Sequence, residues 1–416
     1  MTSGYDYQLD VLLGDQQVGQ LSVQQDNLSF SYDKAWLQRG YAISPTLPLT
    51  ETVITGSPVA SFFRNLLPEG QAFEVLVTYL GVSRSNLFAL VRAIGQETAG
   101  ALTIGRRENQ IKQAIFTPLN LHELQTRLSH RDAFNLVVWS GKVRLSLAGV
   151  QDKLNVLFNA QGEMGFGDGS LCSTHILKFE KHQDTHLVVN EWLCLTLAKA
   201  CGINVAKASI LNIGEHQALL VERFDRKQQG HDRVLKKHLI DACQALGLPP
   251  SFKYERNLGS GRDVQHVRDG VSFAHLFSLA NQCKNPAKTK LDILDWMAFN
   301  LIIANFDAHG KNISFFVGKD GLSLAPFYDL VNIGLFPGFE QSFAMAIGDQ
   351  FDADTLTETD FNDMAVDCNV SITQLKLRIL RMIDKVDASL HELRKADVNA
   401  RYLAVGSRLV ISFFNK

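Results

Sequence analysis

The stretch Asn305-Phe306-Asp307-Ala308-His309-Gly310-Lys311-Asn312, running into Ile313-Ser314-Phe315-Phe316-Val317, decides how this chain reads. Ahead of it, Leu294, Met297, Ala298, Leu301 and Ile302 recur at i, i+3, i+4, i+7 and i+8, one apolar face of a helix predicted over 291–305. Behind it, 313–317 has the character of a strand, Gly318-Lys319-Asp320-Gly321 that of a turn, and 322–324 returns before Pro326-Phe327-Tyr328-Asp329. If the two short runs pair, Asn312 enters the hairpin and Asp329 leaves it. An amide and a carboxylate then end side by side at its open end.

Two hard oxygen donors at one spot, with Asp307 five residues upstream, suit phosphoryl transfer from Mg-ATP. In that chemistry Asp307 orients the acceptor hydroxyl and takes its proton, and Lys311 neutralises charge on the transferring group. The order Asp-x4-Asn and then Asp is that of a kinase catalytic loop and its later metal-binding residue. The same residues also suit turns capped by Asn and Asp at the ends of a surface hairpin.

Upstream order favours the chemical alternative. Ser146-Leu147-Ala148-Gly149-Val150-Gln151-Asp152-Lys153 lies between two strand-like runs, 143–147 and 154–158, where successive amides can form an anion nest. Lys178 sits in a predicted strand at 174–179, though such a lysine is also ordinary on a surface. Glu191 opens the next predicted helix, 190–200, capped by Asn190 and closed by Gly202; it can pair with Lys178 or simply favour the helix N-terminus. A strand at 219–224 ends in Glu222-Arg223-Phe224, where an adenine-binding hinge belongs.

The rest of the chain frames this core. Alternation on either side of Gly14-Asp15 predicts a hairpin within 5–32. Ser57-Pro58 opens a helix running to Pro68, with Ser57 as cap. Further helices are expected at 69–80, ended by Gly81, and at 85–94, followed by a strand at 101–104 and a polar loop at 106–112. After about residue 235, helices at 238–246, 273–283, 291–305 and beyond Thr357 dominate.

Composition excludes several classes. Over 416 residues the chain is 46% hydrophobic and 20% charged, enough for a large core and too apolar for disorder. With 41 Lys+Arg against 43 Asp+Glu it does not grip nucleic acid or membrane by bulk charge. Six scattered cysteines with no Cys-x-x-Cys pair, and no leader-like N-terminus, point to the reducing cytoplasm and to no membrane contact.

Taken together, 146–153, 174–178, Val221-Glu222-Arg223-Phe224-Asp225-Arg226, 307–312 and Phe327-Tyr328-Asp329 resemble the HipA family of toxin kinases. So do Phe62-Phe63-Arg64-Asn65-Leu66-Leu67-Pro68-Glu69-Gly70, Ile94-Gly95 with Gly100-Ala101, Asn190-Glu191, and Cys243-Gln244 with Gly247-Leu248-Pro249. The resemblance spans nearly the whole chain in one register. It implies an α+β, two-lobed protein-kinase-like fold, with a β-rich N-terminal lobe carrying an extra N-terminal subdomain, and an all-α C-terminal lobe. The expected divisions are 1–110, 111–235 and 236–416, with ATP between the β-rich and helical halves.

The resemblance further implies an ATP- and Mg2+-dependent serine/threonine kinase, the toxin of a type II toxin–antitoxin pair. Asp307 is then the catalytic base, and Asn312 and Asp329 hold Mg2+. The nucleotide is expected on Ala148, Gly149, Val150, Gln151, Asp152, Lys153 and Lys178, with the adenine on Glu222, Arg223 and Phe224. His309, Gly310, Lys311, Asn312, Tyr328 and Asp329 complete that set. Ser146 matches the autophosphorylation site, where added charge would compete with ATP. The expected target is an aminoacyl-tRNA synthetase such as glutamyl-tRNA synthetase. The expected partner is a small helix-turn-helix antitoxin of the HipB kind, which carries the operator DNA. The chain departs from the family pattern at Leu239-Ile240-Asp241, where Gln-Glu-Asp is usual, and at Val150, where Ala is common. The alternatives are a catalytically weak co-repressor or a small-molecule phosphotransferase.

Other signals rank lower. Gly165-Phe166-Gly167-Asp168-Gly169 precedes no helix and reads as a flexible hairpin tip. His182-Gln183-Asp184-Thr185-His186 lacks a fourth metal ligand. Helix–turn–helix patterns at 77–94 and 364–379 read as packed helix pairs.

Overall fold

The computed structural model describes residues 7–24, 27–106, 113–131, 134–144, 152–180, 186–336 and 338–395. Ser146, Ala148, Gly149, Val150 and Gln151, most of the expected loop at 106–112 and the His182–Thr185 part of the weighed metal cluster lie outside these residues. The fold is mixed α and β. The described residues within 1–183, 209–240 and 316–319 form one compact unit, and those within 184–208, 241–315 and 320–416 form another.

Among the described residues the first unit carries two large sheets beside two short two-stranded ones. Strands Gln8–Leu13 and Gln16–Gln24 turn at Gly14-Asp15, as the alternation predicts, with Gly14 at φ 60. Asn27–Tyr32 and Ile54–Thr55 extend the sheet on one side, and Leu102–Gly105 pairs with Gln8–Leu13 on the other. Helices Ser57–Arg64, Gly70–Leu80 and Leu87–Ile94 follow the expected order, but the first is capped by Gly56 rather than Ser57. Gly81 ends the second at φ 62, a left-handed C-cap that costs glycine little. Phe62 and Phe63 are wholly buried, and Phe63 packs its ring on Phe30 of the sheet.

The second sheet has six strands. In order they are Ala208–Ile213, His216–Glu222, His175–Phe179, Asp152–Phe158, Met164–Asp168 and Ile115–Pro118. Leu154, Val156, Leu177, Phe179 and Ala218 project from it onto helix Leu121–Ser129, whose N-cap Asn120 accepts from the amides of His122 and Glu123. Met164–Asp168 corrects one expectation. The glycines at 165 and 167 lie inside a paired strand rather than at a hairpin tip, and they are glycines because a Cβ on either would strike neighbouring backbone.

In the second unit, helix Pro286–Ile302 begins at the Asn285 cap and buries the predicted face: Leu294, Met297, Ala298, Leu301 and Ile302. Long helix Ile372–Lys395 is joined to it by Arg378, which reaches Asp295 at 2.8 Å. Among the described residues no helix is long and apolar enough to cross a membrane, and all six cysteines are buried and unbridged.

Three expectations need correction. Helix Leu187–Ala200 starts before Asn190, so Asn190 is an interior helix residue whose amide bonds both backbone groups of Asn332. The expected helix at 238–246 is a strand, Leu239–Asp241, followed by the short helix Ala242–Leu246, which Asp241 opens with a capping box to Gln244. The C-terminal portion is not all-α, since it also carries the strands Ser314–Gly318, Gly321–Leu324, Ser342–Ile347 and Gln350–Asp352. Alternation in 342–347 is hidden because nearly every residue there is buried, so no polar face marks a strand.

Candidate active site

The loop after helix Pro286–Ile302 is shaped by backbone strain and by one asparagine. Ala304 sits at φ 50, and its carbonyl accepts from Gly334 at 3.1 Å. Asn305, only 3% exposed, then uses both ends of its side chain. Its Oδ1 accepts from the Asp307 amide at 3.2 Å, while its Nδ2 donates to Asn300 Oδ1 at 2.8 Å and to the Asp329 carbonyl at 3.3 Å. One buried amide therefore ties the Asp307 loop to the backbone at Asp329. Asp329 itself lies at φ 53, a left-handed conformation that costs a non-glycine residue about 1 kcal/mol or more.

The hairpin expected from the sequence forms. Strands Ser314–Gly318 and Gly321–Leu324 are closed at the base by Ala325 N donating to Ser314 O at 2.9 Å. Asn312 leads into it, and its Nδ2 donates to the Asp307 carbonyl at 2.7 Å. Tyr328 OH donates to the Lys311 carbonyl at 2.7 Å and lies 2.6 Å from Ser314 Oγ. Burial pushes the Tyr328 hydroxyl strongly up, so it stays protonated and serves as a donor. Asp307, His309, Gly310, Lys311, Asn312, Tyr328 and Asp329 thus belong to one local cluster. Its donor set of amide and carboxylate oxygens at Asn312 and Asp329 is hard and suits Mg2+, which takes few protein ligands and completes its shell with phosphate and water.

Within the loop, Gly310 is required by contact. Its amide donates to the Lys253 carbonyl at 2.9 Å, and a Cβ there would come 2.5 Å from Val271 Cγ2. His309 accepts from the Lys311 amide through Nδ1 at 3.3 Å, and its Nε2 stands 3.9 Å from Asp307 Oδ1. Lys311 differs from the sequence reading. Its ammonium is buried and paired with Asp241 Oδ2 at 2.6 Å.

The remaining residues lie in the first unit. Lys153 and Lys178 face each other across adjacent antiparallel strands, as do Asp152 and Phe179, and both lysines are buried. Asp152 accepts from Arg131 at 2.9 Å. Glu222 pairs with His175 across the sheet and is exposed at the strand end; Phe224 meets Phe316 edge to face at 6.0 Å.

Arg223 turns its guanidinium away from a ligand role. It is 4% exposed and binds Asp225 through Nε at 3.0 Å and Nη2 at 2.9 Å, with Ser173 Oγ at 2.9 Å. Arg226 reaches the same carboxylate at 2.6 Å and the carbonyls of Thr98 and Gly100 at 2.8 and 2.7 Å. Gly100 N donates to Asp225 Oδ2 at 3.0 Å, and Glu97 accepts from Ser173. Burial alone would raise Asp225; Arg223 and Arg226 outweigh it and hold the carboxyl down at about 2. The motifs around 95–101 and 221–226 are therefore two halves of one buried ion network.

Sequence reasoning missed Asn305 and Asp241 as supports, and it missed Tyr254, whose hydroxyl donates to Asp307 Oδ1 at 2.5 Å. Tyr254 is 53 residues away in the chain, and nothing in its neighbourhood signals the contact.

The chain resembles known proteins over most of its length. Residues 9–105 match the model of the HipA N-terminal domain, and residues 145–392 match that of the HipA-like C-terminal domain. The serine/threonine-protein kinase toxin HipA of Shewanella oneidensis is 45% identical over 359 residues, 86% of this chain and 82% of its own. Y4mE of Sinorhizobium fredii is 31% identical over 370 residues, 86% of this chain and 84% of its own. A solved complex of HipA, HipB and operator DNA from Shewanella oneidensis superposes with a TM-score of 0.88 at 40% identity, covering 97% of this chain and 96% of that one. By both of its domains and over most of its length, this chain belongs to the HipA family of serine/threonine-protein kinase toxins.

Proposed function

We propose that the chain transfers the γ-phosphoryl group of ATP to a serine or threonine hydroxyl of another protein, as the toxin of a toxin–antitoxin pair. The observation that carries this reading is the Asn305 side chain, which bonds the backbone of both Asp307 and Asp329 in a chain of the HipA family. In this role Asp307 orients the acceptor hydroxyl and takes its proton. Asn312 and Asp329 would hold Mg2+, which neutralises charge on the phosphates.

The buried lysines 153 and 178, with Asp152 and residues 148–151, are assigned to the phosphates. Glu222 to Phe224 are assigned to the adenine; for Arg223 this means its backbone, since the guanidinium serves the ion network. His309, Gly310, Lys311 and Tyr328 shape the loop beneath the nucleotide. The organisation we propose is a two-lobed kinase-like fold, with an N-terminal subdomain at 1–110, an N-lobe at 111–235 and a helix-dominated C-lobe at 236–416.

The partner proposed is a small helix-turn-helix antitoxin that carries operator DNA, in keeping with the complex solved for the relative. An aminoacyl-tRNA synthetase, glutamyl-tRNA synthetase first, is the proposed acceptor, and Ser146 the site of self-modification in the cytoplasm. Incubation with γ-labelled Mg-ATP and that synthetase tests the reading. Label should enter the synthetase with wild type and not with Asp307→Ala. Absence of transfer to any protein, itself included, by the wild type overturns the kinase assignment.

A further inference from the structure

We propose that Tyr254 is a positioning residue for Asp307, setting the orientation of the carboxylate that receives the acceptor proton; this rests on the reading of Asp307 above. The Asp307 side chain is 41% exposed although Phe306, Ala308 and His309 beside it are buried, and the terminal torsion of a carboxylate is broad, so a directed bond selects one orientation. Tyr254 OH donates to Oδ1 at 2.5 Å, a charge-assisted bond of the short, strong kind.

The phenol is itself held rigidly. Its ring meets His309 edge to face at 5.0 Å and 86°, with Lys253 Nζ 5.3 Å from the ring centroid. The residue before it accepts from Gly310 N. The residue after it, Glu255, is buried, with its amide donating to Ala344 O at 2.9 Å. The Glu255 carboxylate accepts from Ala346 N at 2.8 Å and Arg268 Nε at 2.7 Å, and Arg268 also reaches Asp349. A strand hairpin, the Glu255–Arg268 ion pair and the loop backbone therefore fix the chain on both sides of Tyr254. A surface tyrosine with no such task has no need of that support.

A positioning role predicts a specific kinetic split. Removing the hydroxyl leaves the ring packing and the nucleotide contacts in place but takes away the bond that orients Oδ1, so turnover suffers while substrate binding does not. The full-length chain is assayed for transfer from γ-labelled Mg-ATP to itself and to dephosphorylated casein. Tyr254→Phe should lower kcat about tenfold, with KM for ATP and thermal midpoint unchanged.

The outcomes separate the two readings. No transfer by wild type, or full activity in Asp307→Ala, overturns the kinase reading and this inference with it. Active wild type, inactive Asp307→Ala and an unaltered kcat in Tyr254→Phe overturn the role of Tyr254 alone. A fall in kcat accompanied by a matching rise in KM or a lowered midpoint assigns Tyr254 to structure and also overturns it.

Discussion

The ammonium of Lys311 is buried against the carboxylate of Asp241, Nζ to Oδ2 at 2.6 Å, across 70 residues of chain. Asp241 also caps helix Ala242–Leu246, so one side chain fixes both a helix start and the loop after Asp307. Its position ends the Leu239-Ile240-Asp241 run that departs from the family pattern, and the acid that remains there is the one in use.

Breaking that pair from one side should be costly. Asp241→Ala leaves a buried ammonium without this partner and should destabilise the protein by about 3–5 kcal/mol. The double variant Asp241→Ala/Lys311→Met should recover more than half, the lost helix cap of about 1 kcal/mol remaining. Urea unfolding of the four proteins in the cycle measures this; additive losses would contradict it.

Asn305→Ala removes the bonds to the backbone of Asp307 and Asp329 together. A stability loss of about 1–3 kcal/mol is expected from the buried groups left unmatched. Activity should fall about a hundredfold, more than stability explains, because the two acidic residues lose their common anchor. Label transfer and unfolding on the same preparation give both numbers.

Gly310→Ala should force the loop off Val271 and suppress transfer. Val271→Ala makes room for the added methyl, so the double variant should regain activity relative to Gly310→Ala, with a coupling of about 1 kcal/mol or more. A double variant no better than the single one would mean that the loop is displaced for another reason.

Acid should weaken the Arg223–Asp225–Arg226 network in a defined window. The unfolded Asp carboxyl takes its proton near pH 4, whereas the folded one remains ionised to about 2. Protonation therefore favours the unfolded chain: the contribution is complete above about pH 4 and fades as pH falls toward 2. The stability gap between wild type and Asp225→Asn should be several kcal/mol at pH 6 and narrow below pH 4, followed by denaturant midpoints.

His238 adds a second acid-sensitive point. Burial pushes it down to about 4, partly opposed by its hydrogen bond to the Ile43 carbonyl at 2.9 Å. The unfolded imidazole protonates near 6.5, so folding stability is lost as pH falls from about 6.5 to 4, on the order of 3 kcal/mol in all. His238→Gln should flatten the pH dependence across that interval, whatever its stability at neutral pH.

By itself the sequence determined the local structure and the chemical vocabulary. The 3.6-residue periodicity of Leu294 to Ile302, the Gly14-Asp15 turn and the Gly81 stop are each set by neighbours a few residues away, and each is found where that logic puts it. That Asp307, Asn312 and the backbone at Asp329 are tied together was legible for the same reason: a loop, a hairpin and its exit lie close in the chain. The segment 238–246, expected as one helix, and the strand at 342–347, which no local signal marked, are largely buried stretches in which apolar residues do not reveal their period. What only the tertiary structure decided are the partners: Asp241 for Lys311, Tyr254 for Asp307, and Thr98 and Gly100 for Arg226. A buried polar group must find a partner, but which one depends on the chain segments that packing brings within 3 Å, and those are tens of residues apart in the sequence.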